Sequence, residues 1–304
     1  MAKNYHHSKL HNQLRDSFLT IMCKINPKLA ISIIFKKVLN YDMDWNNPKD
    51  FNQKVNWLKI YGDSDTWAKL TDKYAVREYI KEKGLEDLLV KLYGVWDRAE
   101  DIDFDQLPDS FVMKTTNGCN TVMLVKDKSK IDKEKVRTQF KEWLKEPMGY
   151  ATVEPHYLKI KPRIIAEELL VNDNPQSTSL VDYKFICLNG EPHMIMLCAD
   201  RVLGERMSCS FYNMNWEYLP EQSLGQHAGN VVRLDKPKMY ERMIEVCRVL
   251  SKDHPQVRVD LYEAGGKVYF GEMTFTFQGG YIDYITREKL LEMGDLITLP
   301  EKKS

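Results

Sequence analysis

The sequence predicts an α+β fold, and three observations carry that prediction. β-rich runs come in pairs joined by short turns, so neighbouring strands pair antiparallel. Helical periodicity fills longer stretches between those pairs instead of alternating with single strands. Residues 8–40 carry helical periodicity before any strand begins. Neither an internal repeat nor a low-complexity tract interrupts this pattern.

Length and composition limit what such a chain can be. Its 304 residues have room for one large domain or two smaller ones. An apolar share of 43% with 29% charged residues is that of an ordinary globular protein. Lysine plus arginine equals aspartate plus glutamate at 44 each, so no net field draws the whole chain to nucleic acid or membrane. Six scattered cysteines with no CxxC pair suit neither a disulfide framework nor a thiolate metal site. The N-terminal residues lack the apolar run of a signal peptide, and Leu29–Phe35 is too short to span a bilayer. His6, His7 and His11 read as a polar terminus and not as a metal site. The expected location is cytoplasmic.

Taken in order, Leu14, Phe18, Ile21 and Ile25 line one helix, and Leu29, Ile33 and Val38 line a second after the Pro27 break. Such a pair packs on a protein body or rests on a membrane surface, and packing is the expectation. A turn at Asn46-Asn47-Pro48 precedes a helix from Phe51 to Tyr61, with Val55, Trp57 and Leu58 as its apolar side. The next helix is expected over Thr71–Ile80, with Asp72 in its first turn and Gly84 at its close. Strands follow at Leu88–Trp96, Ser110–Lys114 and Thr121–Val125, then a charged helix over Lys128–Lys145 burying Phe140 and Trp143. Pro162–Leu170 reads as a strand from Arg163 onward, and Asp173–Ser179 as a linker. Tyr183–Leu188 and Pro192–Cys198 flank Asn189-Gly190, which favours a type I′ hairpin turn. A strand over Phe211–Tyr218 and a helix over Lys238–Leu250 complete the list before the last hairpin.

That last hairpin holds the most telling chemistry. Val257–Tyr262 and Lys267–Phe275 flank Glu263-Ala264-Gly265-Gly266. A three-residue loop, Ala264–Gly266, would set Asp260 opposite Phe270, with Glu272 and Thr274 on the same face as Asp260. Two carboxylates and a hydroxyl on one face suit Mg²⁺, which takes one or two carboxylates and completes its shell from water and phosphate. A solvated outer face would give the same pattern. Upstream, the ribbon Phe111–Val125 carries Lys114 at the end of its first strand and a polar tip able to close over phosphate. It matches no P-loop, and no GxGxxG fingerprint occurs. Glu167 and Glu168 end a strand running into Leu169 and Leu170, where backbone groups could read an adenine edge or the acids could simply face water. Asp182 and Lys184 share a strand face. Trp143, Tyr150, Glu154, His156 and Tyr157 lie between ribbon and hinge strand, as candidate acceptor-cleft residues or as core. The DxD runs, among them Asp42-Met43-Asp44, Asp63-Ser64-Asp65 and Asp101-Ile102-Asp103, close no convincing strand and argue against a glycosyltransferase.

Six segments in this order, NPKDFNQKVNWLKIYG, LTDKYAVREYIKEKG, FVMKTTNGCN, PRIIAEELL, DYKFICLNGEP and RVDLY…VYFGEMTFTFQGG, resemble the ATP-grasp superfamily, and within it the TupA-like branch of surface-polysaccharide and teichuronopeptide gene neighbourhoods. The resemblance implies two α+β subdomains clasping ATP, with an N-terminal helical extension over 1–45, an N-terminal α/β subdomain over 46–110, a flap subdomain over 111–170 and a catalytic subdomain over 171–304. It implies Lys73 and Lys114 as phosphate-binding lysines, and Asn117, Gly118, Cys119 and Asn120 as a mobile flap. Glu167, Glu168, Leu169 and Leu170 become the adenine hinge, and Asp182, with Lys184 nearby, the ribose acid. Asp260 and Glu272 become the magnesium acids, and Arg258 the arginine that steadies acyl-phosphate charge. Thr274 stands where many such ligases carry asparagine, so it is the weaker donor of the set. The implied activity is an ATP- and Mg²⁺-dependent carboxylate–amine ligase. Its implied substrates are an amino acid or amine and a sugar acid such as a uronic acid, in nucleotide-sugar, lipid-linked or polymer form. Peripheral contact with membrane-bound polysaccharide machinery follows from the same likeness. A kinase using the same nucleotide site is the alternative, and a degenerate ATP-binding scaffold the non-enzymatic one.

Overall fold

Helix caps set most of the helical boundaries. In the computed structural model, residues 20–118, 121–201, 208–222 and 233–302 are described. A helical run through 20–25 stops at Asn26, whose side chain accepts from the Leu29 amide and caps α1 (Pro27–Leu39), with Pro27 at the first position. Asp50 caps α2 (Phe51–Tyr61) in the same way, and Asp63 caps α3 (Ser64–Thr71). The helix expected over Thr71–Ile80 is therefore two. Asp72 accepts from the Tyr74 and Ala75 amides, a local turn that competes with helix, and α4 (Val76–Glu82) starts only beyond it. Gly84 follows α4 at a φ of 72°, as the C′ position requires.

Two antiparallel sheets form the frame. The smaller contains β1 (Leu92–Trp96), β2 (Phe111–Thr115), β3 (Val122–Val125) and β4 (Ile164–Glu167), in the order β1-β4-β2-β3. Phe111, Met113, Ile164 and Ala166 pack on Val136 and Phe140 of α5 (Lys133–Trp143). The strand period of two then sends Val112 and Lys114 to the other face, where β4 contributes Ile165 and Glu167.

The larger sheet contains β5 (Asp182–Leu188), β6 (Glu191–Ala199), β7 (Ser208–Asn213), β8 (Gln256–Ala264) and β9 (Lys267–Thr274), in the order β7-β6-β5-β8-β9. Tyr183, Phe185, Leu197, Val259 and Leu261 form one face with Met243, Val246 and Leu250 of α6 (Tyr240–Ser251). At one end of the opposite face, Ile186, Met194 and Phe211 meet Phe277 and Leu290 and Met293 of α7 (Arg287–Asp295). Asp182, Lys184, Arg258, Asp260 and Glu272 hold the remainder of that face. The central strand β5 is covered on both sides and buried at every position.

Three further expectations change. The β8–β9 loop is two residues, Gly265 and Gly266, both at positive φ, so Ala264 pairs with Lys267 and Leu261, not Asp260, pairs with Phe270. A bulge at Gly271 then places Asp260 directly opposite Glu272. The strand expected over Phe211–Tyr218 ends at Asn213, whose side chain accepts from the amides of Asn215 and Glu217 and turns the chain back to a bridge between Tyr212 and Tyr218. α1 does pack on the body, but through Ala30, Ile31 and Phe35. Of the stripe chosen from sequence, Ile21, Ile25, Leu29, Ile33 and Val38 are exposed, and Leu14 and Phe18 lie outside the described residues. Among the described residues, no helix is long and apolar enough to cross a membrane.

Candidate nucleotide and metal site

The charged face of the large sheet is built around one buried carboxylate. Asp260, 1% exposed, accepts from Arg258 Nε at 2.7 Å and Nη2 at 2.8 Å, and from Lys184 Nζ at 2.5 Å. Lys184 reaches Asp182 as well, at 2.7 Å, and Asp182 Oδ1 is a buried oxygen with no hydrogen-bond partner. Burial alone would lower Lys184, but Asp182 and Asp260 hold it well above the usual lysine range. Burial pushes the Asp260 carboxyl up, and Arg258 and Lys184 oppose that. Its three charge-assisted bonds are those of an ionised group.

Glu272, across the bulge, is placed differently. Its side chain is 34% exposed. Oε1 accepts from Arg258 Nη2 at 2.7 Å and from the Thr274 hydroxyl at 3.3 Å, while Oε2 lies 3.8 Å from Lys73 Nζ. Burial would raise its pKa, but Lys73, Arg258 and Lys184 outweigh that and hold it well below the usual carboxylate range. The bulge depends on Gly271, since a β-carbon there would lie 2.9 Å from the Asp260 carbonyl oxygen.

Lys73 connects this face to the small sheet. Its ammonium donates to the Gly118 carbonyl at 2.7 Å and its amide to the Thr116 carbonyl at 3.2 Å. The loop it holds is tightly built. Thr115 and Thr121 hydroxyls bond at 2.6 Å, and a β-carbon on Gly118 would approach them to 2.9 and 2.6 Å. Asn117 is buried with Oδ1 unpartnered, while Cys119 and Asn120 lie outside the described residues. Lys114 pairs with Glu167 at 2.6 Å, and Arg77 joins the same carboxylate at 3.0 Å. Glu167 is thus engaged by cations of its own sheet. Glu168 is exposed, its amide donating to the Lys91 carbonyl, and Leu169 and Leu170 are half-buried.

Lys73, Arg258, Lys184, Asp182, Asp260, Glu272 and Thr274 therefore form one continuous network, and Lys114 with Glu167 a second on the neighbouring sheet. Trp143 stays apart, edge-on to Phe140 in the α5 core. Asp260 and Glu272, with the Thr274 hydroxyl beside them, are hard oxygen donors of the kind Mg²⁺ takes. Among the described residues no three His, Cys, Asp or Glu side chains cluster as a metal site. Glu272 is the accessible donor and Asp260 the enclosed one.

Sequence reasoning missed two groups. Arg77 lies four residues beyond Lys73, a spacing that could have flagged it. Lys59 carried no such signal. With Asn52 and Asn56 it forms a polar stripe along α2 that grips the backbone after β9. Asn52 exchanges two bonds with Ile282, at 2.8 and 2.9 Å, and Asn56 donates to the Gly280 carbonyl at 2.6 Å. The Lys59 ammonium donates to the carbonyls of Thr152 and Gly279, above the Tyr281 ring. Burial brings Lys59 down to about 7, with Glu154 opposing. Glu154 accepts from the Thr152 and Thr276 hydroxyls. Nearby His156 is fully buried against the edge of Trp67, and neither ring nitrogen has a hydrogen-bond partner.

Solved structures with similar folds include the D-alanine–D-alanine ligase of Bacillus anthracis, at 14% identity, a TM-score of 0.43, and coverage of 82% of this chain and 66% of that one. The Helicobacter pylori D-alanine–D-alanine ligase matches at 15% identity and 0.40, over 82% and 69%. The N5-carboxyaminoimidazole ribonucleotide synthetase of Thermus thermophilus matches at 11% and 0.39, over 74% and 52%. The chain thus spans between about half and about two thirds of the length of these structures. No curated protein matches it in sequence. The family model described as TupA-like ATPgrasp matches residues 53–298, which take in both sheets and every charged residue of the network, and the chain therefore belongs to the TupA-like ATP-grasp family.

Proposed function

We propose that the chain is an ATP-dependent carboxylate–amine ligase that activates an acid as its acyl phosphate and passes it to an amine. The observation that carries this reading is the position of Lys73, which bonds the flap carbonyl of Gly118 and faces Glu272 of the opposite sheet. Lys73, Lys114, Arg77, Arg258 and Lys184 stand against four carboxylates, Glu167, Asp182, Asp260 and Glu272. This excess of positive charge between two sheets suits a polyphosphate. Glu272, Asp260 and Thr274 would hold Mg²⁺, which would supply charge neutralisation at the phosphates. The residues' own contributions are electrostatic. Lys73 and Lys114 bind phosphate oxygens, Arg258 offsets charge developing on the transferred group, and Asn117 with the Gly118 backbone closes the flap against water. The roles of Asp182 toward ribose and of Glu167–Leu170 toward adenine belong to the same proposal, as do the four domain boundaries given above.

Family membership favours a sugar acid such as a uronic acid and an amino acid or amine as substrates, in cytoplasmic surface-polysaccharide synthesis. The test is nucleotide release from Mg²⁺-ATP over a panel of sugar acids, with and without amino acids. ADP release needing both acid and amine, with an amide product by mass, supports the ligase. ADP with a phosphorylated sugar and no need for amine would replace it with a kinase.

A further inference from the structure

The outward side of the N-terminal helices gathers exposed large apolar side chains. Ile21, Ile25, Leu29, Ile33 and Val38 are 55, 75, 46, 41 and 43% exposed. The helical run 20–25 and α1 both pack inward on one cluster, through Cys23, Ala30 and Ile31 against Val153. Their opposite sides therefore face away from the body together, and Ile25 and Leu29 flank the Asn26–Pro27 junction. Isolated exposed leucines are ordinary, but a ridge spaced by four along consecutive helices is a surface.

Charge indicates what covers it. Residues 1–41 carry seven lysines and arginines (Lys3, Lys9, Arg15, Lys24, Lys28, Lys36, Lys37) and one acid, Asp16, in a chain with no net charge. From Ser17 to Tyr41 there is no carboxylate. Lys24, Lys36 and Lys37 are exposed beside the ridge. Lys36 shares its charge with Asp42 at 3.1 Å, and Lys28 turns inward to the Tyr61 hydroxyl. An apolar ridge bordered by lysine, on helices that carry no acid of their own from Ser17 to Tyr41, matches the headgroup region of an anionic bilayer, where side chains enter the acyl boundary and ammonium groups meet lipid phosphates.

We propose that this face lies on an anionic lipid surface, holding the chain peripherally through Ile21, Ile25, Leu29 and Ile33 with Lys24 and Lys37 at the headgroups. The inference rests on these helices alone and stands whether or not the ligase reading does. It is tested by co-sedimenting the full chain with vesicles of phosphatidylcholine alone and of phosphatidylcholine with phosphatidylglycerol. The chain binds the anionic vesicles at least about tenfold more tightly than the neutral ones, and high salt weakens that binding. Ile25→Asp/Leu29→Asp lowers it by about tenfold or more, with melting temperature and ATP binding unchanged because both side chains are exposed. Lys24→Glu/Lys37→Glu reduces the preference for anionic lipid. Failure to sediment with the anionic vesicles, or binding that ignores the Ile25/Leu29 substitutions, overturns the proposal. So does a dimer in solution that the same substitutions dissolve, since the ridge would then cover a second copy.

Discussion

The two acids of the β8–β9 hairpin are chemically alike, and the structure assigns them opposite consequences on mutation. Asp260→Asn removes a carboxylate that is 1% exposed and leaves Lys184 with Asp182 alone, and Arg258 with Glu272 alone, as counter-charge. Breaking a buried pair in this way costs about 3–5 kcal/mol, which in a chain of this size lowers the melting temperature by roughly 5–8 °C. Glu272→Gln removes a side chain that is 34% exposed, with one close charged bond to Arg258 and a longer approach to Lys73. Solvent screening limits that loss to about 1 kcal/mol, or roughly 2 °C. For nucleotide binding the order reverses. Wild-type affinity for ATP is expected to be at least about tenfold higher with Mg²⁺ than with EDTA, and Glu272→Gln brings that ratio close to one.

Thermal unfolding and calorimetric ATP titrations separate the two effects. The pH dependence adds a third reading. Glu272 in the folded chain titrates below its ordinary 4.5, so its contribution to stability is present above that pH and fades as pH falls. The small stability gap between wild type and Glu272→Gln should therefore close on acidification. A Glu272→Gln protein that keeps its Mg²⁺ enhancement would refute the metal assignment. An Asp260→Asn protein that melts with Glu272→Gln would refute the account of burial.

Gly118→Ala should displace the backbone that Lys73 holds, because its β-carbon would crowd the Thr115 and Thr121 hydroxyls; overpacking of about 1–2 kcal/mol weakens ATP binding by roughly fivefold to thirtyfold, and adding Thr121→Ala recovers part of that. Lys59→Met leaves the Gly279 carbonyl without its donor and the Thr152 carbonyl with the Tyr281 hydroxyl alone, and urea unfolding should record a loss of about 1–3 kcal/mol. His156 is pushed down to about 3 by burial first and by Lys59 second, so the unfolded chain takes up its proton before the folded one does. Stability then falls as pH drops below about 6.5, and His156→Phe should remove about 3 kcal/mol of that fall by pH 4, measured by denaturant titration across pH.

Much of the frame was legible because local chemistry set it. Asn189-Gly190 specified its hairpin through two positive φ values, and the Phe51–Tyr61 helix was read to its ends from a preceding turn and an apolar side. What failed were places where a side chain overrode the period. Asp72 and Asn213 bond nearby amides and stop a helix and a strand that hydrophobic pattern alone would continue. The short helix α3 was hidden inside an acidic run whose Asp63 proves to be its cap. At the site, period two brought Asp260, Glu272 and Thr274 to one face, but the two-residue loop and the Gly271 bulge set their true pairing. Both errors shifted register in the same direction and left the face unchanged. The Lys59 stripe had no signal at all, because nothing in a sequence marks a lysine that will be buried beneath the backbone of a distant loop.

That stripe gives the N-terminal helices a mechanical relation to the site. α2 holds residues 279–282, a few positions after Glu272 and Thr274, through Asn52, Asn56 and Lys59. The inner face of α1 reaches the same loop, with Phe35 edge-on to Tyr281 at 6.4 Å, while Lys28 bonds Tyr61 at the end of α2. Tyr281 lies beneath the Lys59 ammonium, so an aromatic ring of α1 and the buried lysine of α2 position one stretch of backbone together. The two faces of α1 therefore separate in their effects. Substitutions on the outward ridge change what the chain rests on and leave the loop in place. Phe35→Ala, with its ring fully buried, takes away packing worth about 3–5 kcal/mol and loosens the backbone that follows Glu272 and Thr274, so ATP affinity should fall together with stability.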